Sequence, residues 1–271
     1  APRIWEMRRQ RPDEAEMAEA IAALRKAKRP LIVAGGGVRY SGASAALTDF
    51  AESAGIPVAA TQAGKSVMPE VHPNYVGSLG VTGSSAANDL AQRADVVLSV
   101  GSRLQDFTTG SNGLIKGQVL SLNVQLHDAI KHDAMTVVGD ALVGLETLGH
   151  ALVGHHTSDA YQQEYATLKR EWDAAVDAVT GKPEGNALPS DSAVIGAVNR
   201  NVPATAIAVG AAGSMPGELH KLWRTGAVDG YHMEYGFSCM GYEVSAGIGV
   251  HMASPDRPNV VFAGDGSYLM M

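Results

Sequence analysis

The chain's chemistry is concentrated in a few short segments. Gly264-Asp265-Gly266-Ser267 follows Asn259-Val260-Val261-Phe262-Ala263. That apolar run reads as a strand of a parallel sheet, so Asp265 falls at its carboxyl end, where open α/β sheets bind ligands. A carboxylate flanked by glycines suits a Mg²⁺ ion bridging to a diphosphate, because Mg²⁺ is usually held by one or two carboxylates plus phosphate oxygens. By itself Asp-Gly is equally an ordinary turn. Upstream, Tyr235-Gly236-Phe237-Ser238-Cys239-Met240-Gly241-Tyr242-Glu243 leads into Ser245, Ala246, Gly247 and Gly249. Such small residues let a helix approach a sheet or a ligand closely. Gly210-Ala211-Ala212-Gly213-Ser214-Met215-Pro216-Gly217 reads as a loop of small residues. On residue type alone, Met240 is a core methionine, Cys239 a small buried thiol, and Glu234 and Glu243 are surface charges.

Other candidates carry less. Gly35-Gly36-Gly37 follows the apolar run Leu31-Ile32-Val33-Ala34, and glycines there can let phosphates approach a helix N-terminus. The third glycine of a dinucleotide fingerprint would fall at Tyr40, however, and the next strand ends in Thr61-Gln62 rather than an acid. The favoured reading is a tight structural turn, and a nucleotide-binding module over residues 31–124 stands as an alternative of another class. His155 and His156 read as a solvated loop, and His220, near Trp223, as packing. No Ser-His-Asp order or HExxH spacing occurs.

The elements that must position these residues follow from periodicity. A helix over 13–29 is expected, with Asp13 as cap, Glu16 completing a capping box and Pro30 as stop. Met17, Ala20, Ile21 and Leu24 form its apolar face. Strands are expected at 31–34, 56–60, 96–100, 119–124 and 137–138, with helices over 42–54 and 84–93 and from Asp140. Short apolar strands alternating with helices predict an α/β fold, a Rossmann-like parallel sheet covered on both faces. A second α/β pattern follows, with a helix over 191–199, a strand over 204–209, a helix over 241–253 and a strand over 259–263. The expected organisation is a first domain over 1–150, a linker and helix over 151–185, and a second, incomplete domain over 186–271. The bulky residues after Gly264-Asp265-Gly266 look like the start of an element, so the chain is expected to be a piece of a longer one.

Of 271 residues, 31 are glycine and only 18 % are charged, against about 25 % in a typical domain. That balance suggests much buried backbone and many tight turns. A net charge of −7 argues against a general polyanion binder, although the first thirty residues are net basic. One cysteine excludes an internal disulfide and a cysteine-rich zinc site, and a cytoplasmic location is expected. No segment is long and apolar enough to predict a membrane span.

In combination, the small-residue loop, Ser238-Cys239-Met240-Gly241 at a helix start and the terminal Gly-Asp-Gly-Ser resemble the thiamine-diphosphate enzymes related to acetolactate synthase. Gln62-Ala63-Gly64-Lys65, Gly80-Val81-Thr82-Gly83, Arg103 to Gly110 and Met233 to Glu243 look like one branch of that family. Its members hydrolyse a carbon–carbon bond of a trihydroxycyclohexane-1,2-dione, opening the ring to 5-deoxyglucuronate in myo-inositol catabolism. Acetolactate synthases usually carry Leu-Pro where Glu243-Val244 stand here, and Thr in place of Cys239. An acetolactate-synthase-like ligase or decarboxylase is the alternative within the family.

The resemblance implies a middle domain followed by part of a diphosphate-binding domain, with thiamine diphosphate and Mg²⁺ as cofactors. Asp265 would be the metal ligand. Gly264, Gly266 and Ser267 would contact the diphosphate, and Gly213, Ser214 and Met215 would lie over it, with Ala211 where the family usually has an aspartate. Met240 would prop the cofactor into its bent shape, and the Ser238 carbonyl would receive the aminopyrimidine N–H. Glu234 and Cys239 are candidate substrate contacts. The family's catalytic glutamate lies in a pyrimidine-binding domain, so no catalytic residue is assigned here and the piece alone is expected to be inactive. A second metal ligand is expected beyond Met271. The implied partners are a small cyclic polyol-dione and, for the parent, a second or further copies in a homodimer or homotetramer, with no nucleic acid or membrane.

Overall fold

The computed structural model describes residues 8–183, 185, 188–234 and 236–271. Residues 1–7, Glu184, Asn186, Ala187 and Tyr235 lie outside them. Along the first half run α1 (Glu14–Lys26), β1 (Pro30–Ala34), α2 (Gly36–Tyr40), α3 (Ser44–Ala54), β2 (Val58–Ala60), β3 (Tyr75–Ser78), α4 (Ser85–Arg93), β4 (Val96–Val100), α5 (Asp106–Thr109), β5 (Gln118–Asn123), α6 (Leu126–Ala129), β6 (Met135–Val138) and α7 (Ala141–Ala151). Among the described residues these strands form a six-stranded sheet in the order β3-β2-β1-β4-β5-β6, parallel throughout. This is the doubly wound order, whose direction reverses between β1 and β4.

Alternation along the strands builds two cores. In β1, Ile32 and Ala34 join α1, α3 and α7 on one face, through Met17, Leu24, Leu47, Phe50, Leu145 and Leu148. Leu31 and Val33 point the other way, with Leu90 of α4 and with Tyr161 and Tyr165 further along the chain. All five β1 residues are buried, as a parallel strand covered on both faces requires.

Two details of the first helix differ from expectation. Asp13 does cap α1, accepting from the amides of Ala15 and Glu16. Glu16, however, does not reach back to close a capping box: its Oε2 accepts the amide N–H of Val138 in β6, 2.9 Å away. The helix ends at Lys26, before Pro30, which becomes the first residue of β1.

The second half contains α8 (Asp159–Val179), α9 (Asp191–Asn201), β7 (Ile207–Gly210), α10 (Met215–Leu222), β8 (Tyr231–Met233), α11 (Tyr242–Ala253), β9 (Asn259–Val261) and α12 (Asp265–Leu269). Among the described residues its strands form a three-stranded parallel sheet, β8-β7-β9. Ala208 faces a core of Ile195, Leu219, Trp223, Tyr231 and Phe262, while Ile207 and Val209 face Ala246 on α11. The 21-residue α8 is the helix of the 151–185 segment. At about 1.5 Å per residue it is about 30 Å long. Its Tyr161 and Tyr165 pack in the first unit, while Trp172 and Val176 pack in the second.

Candidate functional site

The strands of the second sheet run in the same direction, so the segments after them emerge on one edge. After β7 comes the 211–214 loop, after β8 the 234–241 loop, and after β9 Phe262–Gly264 and α12. The site residues expected from sequence fall in these three segments and at their helix starts. The carboxyl edge of a parallel sheet is where open α/β folds hold ligands.

Gly213 has φ +90, and an added Cβ there would meet nothing within 4 Å. Ser214 is the N-cap of α10 but makes no side-chain capping bond. Met215 and Pro216 are helical rather than loop, because Pro near a helix start loses no hydrogen bond. Asp265 opens α12 and is exposed; its Oδ1 accepts the amide N–H of Gly266 at 2.8 Å. Ser267 is buried. The Met240 side chain is 47 % exposed, too wet for a core methionine. Its methyl lies 3.2 Å from where a Gly266 Cβ would sit, which brings the 239–241 and 264–267 segments together. Gly213, Ser214 and Ser238 line one cavity of about 630 Å³. Asp265 and Gly264 line another, of about 720 Å³, with Val244, Ile248 and Tyr268.

Three further readings from residue type change. Cys239 is exposed, not buried: its loop projects from the sheet edge. Glu243 is fully buried, not a surface charge. Its carboxylate accepts from the amides of Ala212 and Gly241, which satisfies it without a counter-ion of its own. Glu234 is half-buried, and the amide N–H of Cys239, then those of Phe237 and Gly236, hold its carboxyl below the usual glutamate range. Just downstream, Tyr242 anchors the start of α11 to β8 through its hydroxyl, 2.7 Å from His232 Nε2.

The site also depends on contacts that residue type did not signal. Gln62 donates to the Pro216 carbonyl at 3.1 Å and accepts from the Tyr231 hydroxyl at 2.8 Å. Ser78 donates to the His220 carbonyl, and Thr82 Oγ1 shares a hydrogen bond with His220 Nδ1 at 3.0 Å. These bonds fix α10, and so Ser214, against the first sheet. His220 is 1 % exposed. Burial, aided by the nearby Lys65 charge, pushes its pKa down from 6.5 to about 3. Between those values the unfolded chain holds a proton that the folded one does not. Stability therefore falls as pH drops from 6.5 toward 3, by roughly 1.4 kcal/mol per pH unit from this group. In denaturant titrations across that window, His220→Gln is expected to show a shallower slope than the parent; equal slopes would contradict this.

The triple glycine does different work. Gly35 N–H donates to the Val100 carbonyl and Gly37 N–H to that of Gly101. A Cβ at Gly35 would lie 2.3 Å from the Gly101 oxygen. The two loops at the switch point thus close on each other, and these two amides have protein partners.

A metal or cofactor must be compatible with this edge. Among the described residues no three His, Cys, Asp or Glu side chains gather as an all-protein metal cage. A lone exposed Asp265 instead fits Mg²⁺ held by one carboxylate and phosphate oxygens. The open Gly213 backbone, the uncapped start of α10 and the half-exposed Met240 beside Gly266 fit a diphosphate with an attached ring system. Among the described residues no helix is long and apolar enough to cross a membrane.

Comparison with known proteins bears on the same residues. The family model described as "Thiamine pyrophosphate enzyme, central domain" matches residues 17–148, and "Thiamine pyrophosphate enzyme, C-terminal TPP binding domain" matches residues 211–271. A Clostridium perfringens protein named 3D-(3,5/4)-trihydroxycyclohexane-1,2-dione hydrolase is 40 % identical, over 94 % of this chain and 44 % of its own length. Proteins with the same name from Geobacillus thermodenitrificans and Clostridium tetani are 40 % and 38 % identical, over 100 % and 99 % of this chain and 46 % of their own lengths. The chain thus spans less than half the length of the curated relatives it matches.

Proposed function

The chain belongs to the thiamine pyrophosphate enzymes, and from that premise we propose that it forms the diphosphate and metal side of a thiamine-diphosphate site. In the whole protein that site would open the ring of a trihydroxycyclohexane-1,2-dione by hydrolysing a carbon–carbon bond. The observation that carries this reading is the placement of three segments, 211–215, 238–241 and 264–267, after neighbouring parallel strands, with Met240 against Gly266 and Glu243 bonded to Ala212. Support for the substrate comes from relatives named for that hydrolysis. Support against the acetolactate-synthase alternative comes from Glu243, whose carboxylate is built into the site.

When bound, thiamine diphosphate supplies an electron sink for cleavage of the bond beside a carbonyl. Asp265 would hold Mg²⁺, its Oδ1 already oriented by the Gly266 amide. Gly264, Gly266 and Ser267, with Gly213, Ser214 and Met215, would bind the diphosphate. The Ser238 carbonyl would accept the aminopyrimidine N–H, and Met240 would fix the angle between the two rings. Cys239, exposed on the same loop, would face the substrate side. The residues 1–150 and 186–271 would act as middle and diphosphate-binding domains, joined through 151–185. A homodimer or homotetramer and a cytoplasmic location complete the reading. A nucleotide-binding module finds less support, since Gly35 and Gly37 spend their amides inside the protein.

The test is an assay of the whole protein with thiamine diphosphate and Mg²⁺, offering the cyclic dione and pyruvate separately. Formation of 5-deoxyglucuronate, with little pyruvate turnover, is expected. Preferential pyruvate condensation or decarboxylation would overturn the hydrolase assignment.

A further inference from the structure

The loop between β8 and α11 is held by two carboxylates. Glu234 Oε1 accepts the amide N–H of Phe237 at 3.0 Å, and its Oε2 accepts that of Cys239 at 2.9 Å. Glu243 Oε2 accepts the amide N–H of Gly241 at 2.9 Å, and its Oε1 that of Ala212 at 3.2 Å. The pinned amides alternate, at Phe237, Cys239 and Gly241. The residues between them are Ser238 and Met240. Ser238 has φ +50, a conformation sparsely populated outside glycine that persists only where its surroundings hold it. Here the surroundings are the two Glu234 bonds on either side of it.

Glu243 adds a second link. Its two oxygens bond to different loops, so the 239–241 turn is tied to the segment carrying Gly213 and Ser214. A carboxylate is costly to bury, and its retention in a fully buried position is explained when both oxygens accept from amides that need fixing.

We infer that Glu234 and Glu243 are a pair of positioning residues that preset the backbone of residues 236–241 and couple it to the 211–214 loop, so that Ser238 and Met240 stand ready for the cofactor's pyrimidine and linked ring. The inference rests on the thiamine-diphosphate reading above. It gives Glu234 a role besides the expected substrate contact, since each of its oxygens already accepts a backbone amide.

Two measurements test it. In the wild-type protein without cofactor, residue-resolved hydrogen exchange is expected to show the amides of Ala212, Phe237, Cys239 and Gly241 protected relative to that of Ser238. Rapid exchange at the pinned positions would overturn the brace without needing any variant. In the whole protein, Glu234→Gln and Glu243→Gln each leave one amide facing an NH₂ group instead of an oxygen. Each is expected to raise the Kd for thiamine diphosphate in Mg²⁺ by about tenfold, read by fluorescence titration, with a smaller effect on kcat at saturating cofactor. A raised KM for substrate with unchanged cofactor Kd would overturn the inference and leave Glu234 as a substrate contact. Wild-type protein with protected amides but no affinity for thiamine diphosphate would overturn the functional reading, and with it the cofactor role of the brace.

Discussion

Asp265→Asn is expected to raise the Kd for thiamine diphosphate, measured in Mg²⁺, by at least about 100-fold, the upper end of what losing even a supporting metal contact costs. The substitution is nearly isosteric. The amide oxygen can still accept the Gly266 N–H, so the turn into α12 is kept. Asp265 is exposed, and surface changes of this kind usually move stability by no more than about 0.5 kcal/mol. What the variant removes is the formal charge that would hold the metal against a polyanionic diphosphate. Cofactor affinity should therefore collapse while the urea midpoint stays in place. A Kd within threefold of the parent would remove Asp265 from the metal site.

The second large effect lies away from the loops, where the two units meet. Lys65 is fully buried and its ammonium is 3.2 Å from Glu70, also buried. Burial lowers the Lys65 pKa and the Glu70 charge pulls it back up. Glu70 also accepts from the Thr225 hydroxyl at 3.4 Å, and its amide donates to the Thr225 carbonyl at 2.9 Å. The ammonium sits 5.8 Å from the centre of the Tyr231 ring, on β8. Lys65→Met leaves a carboxylate buried without its cation, which typically costs about 3–5 kcal/mol. The double change Lys65→Met with Glu70→Gln removes both charges and should recover most of that loss. Chemical denaturation of the parent and these two variants checks this; a Lys65→Met variant as stable as the parent would show that the pair contributes nothing.

Much of the fold was legible because its strands are short, apolar and buried on both faces. Leu31–Ala34, Val96–Val100 and Val119–Asn123 are buried at every position and mostly apolar, with Ser99, Ser121 and Asn123 the polar residues among them. β3 was not legible, since Tyr75-Val76-Gly77-Ser78 contains a glycine at φ +102 and pairs with β2 through a register shift. β8 is three residues with a histidine in the middle. Its strand character comes from pairing with β7, a long-range contact that local pattern does not encode.

The candidate site was proposed from sequence through Gly213, Gly264, Asp265 and Gly266, which fall just after expected strands. Its supports were not. Glu243 looks like a surface charge on composition, and only the fold brings Ala212, 31 positions away, onto its carboxylate. Gln62 and His220 act through partners 154 and 138 positions distant. Those partners meet them at a junction between units that periodicity cannot place; of the His220 ring, only Nδ1 is paired there, and the buried Nε2 has no partner among the described residues.

Recognition of a diphosphate at this sheet edge is what most directly decides the functional reading. Titrating the whole protein in Mg²⁺ with thiamine diphosphate and, separately, with thiamine isolates that group. Saturable binding of the diphosphate, with thiamine weaker by at least about 100-fold, is the predicted result, since metal-bridged and charge-assisted phosphate contacts contribute several kcal/mol together. Equal affinity for the two, or no binding of the diphosphate, would contradict it.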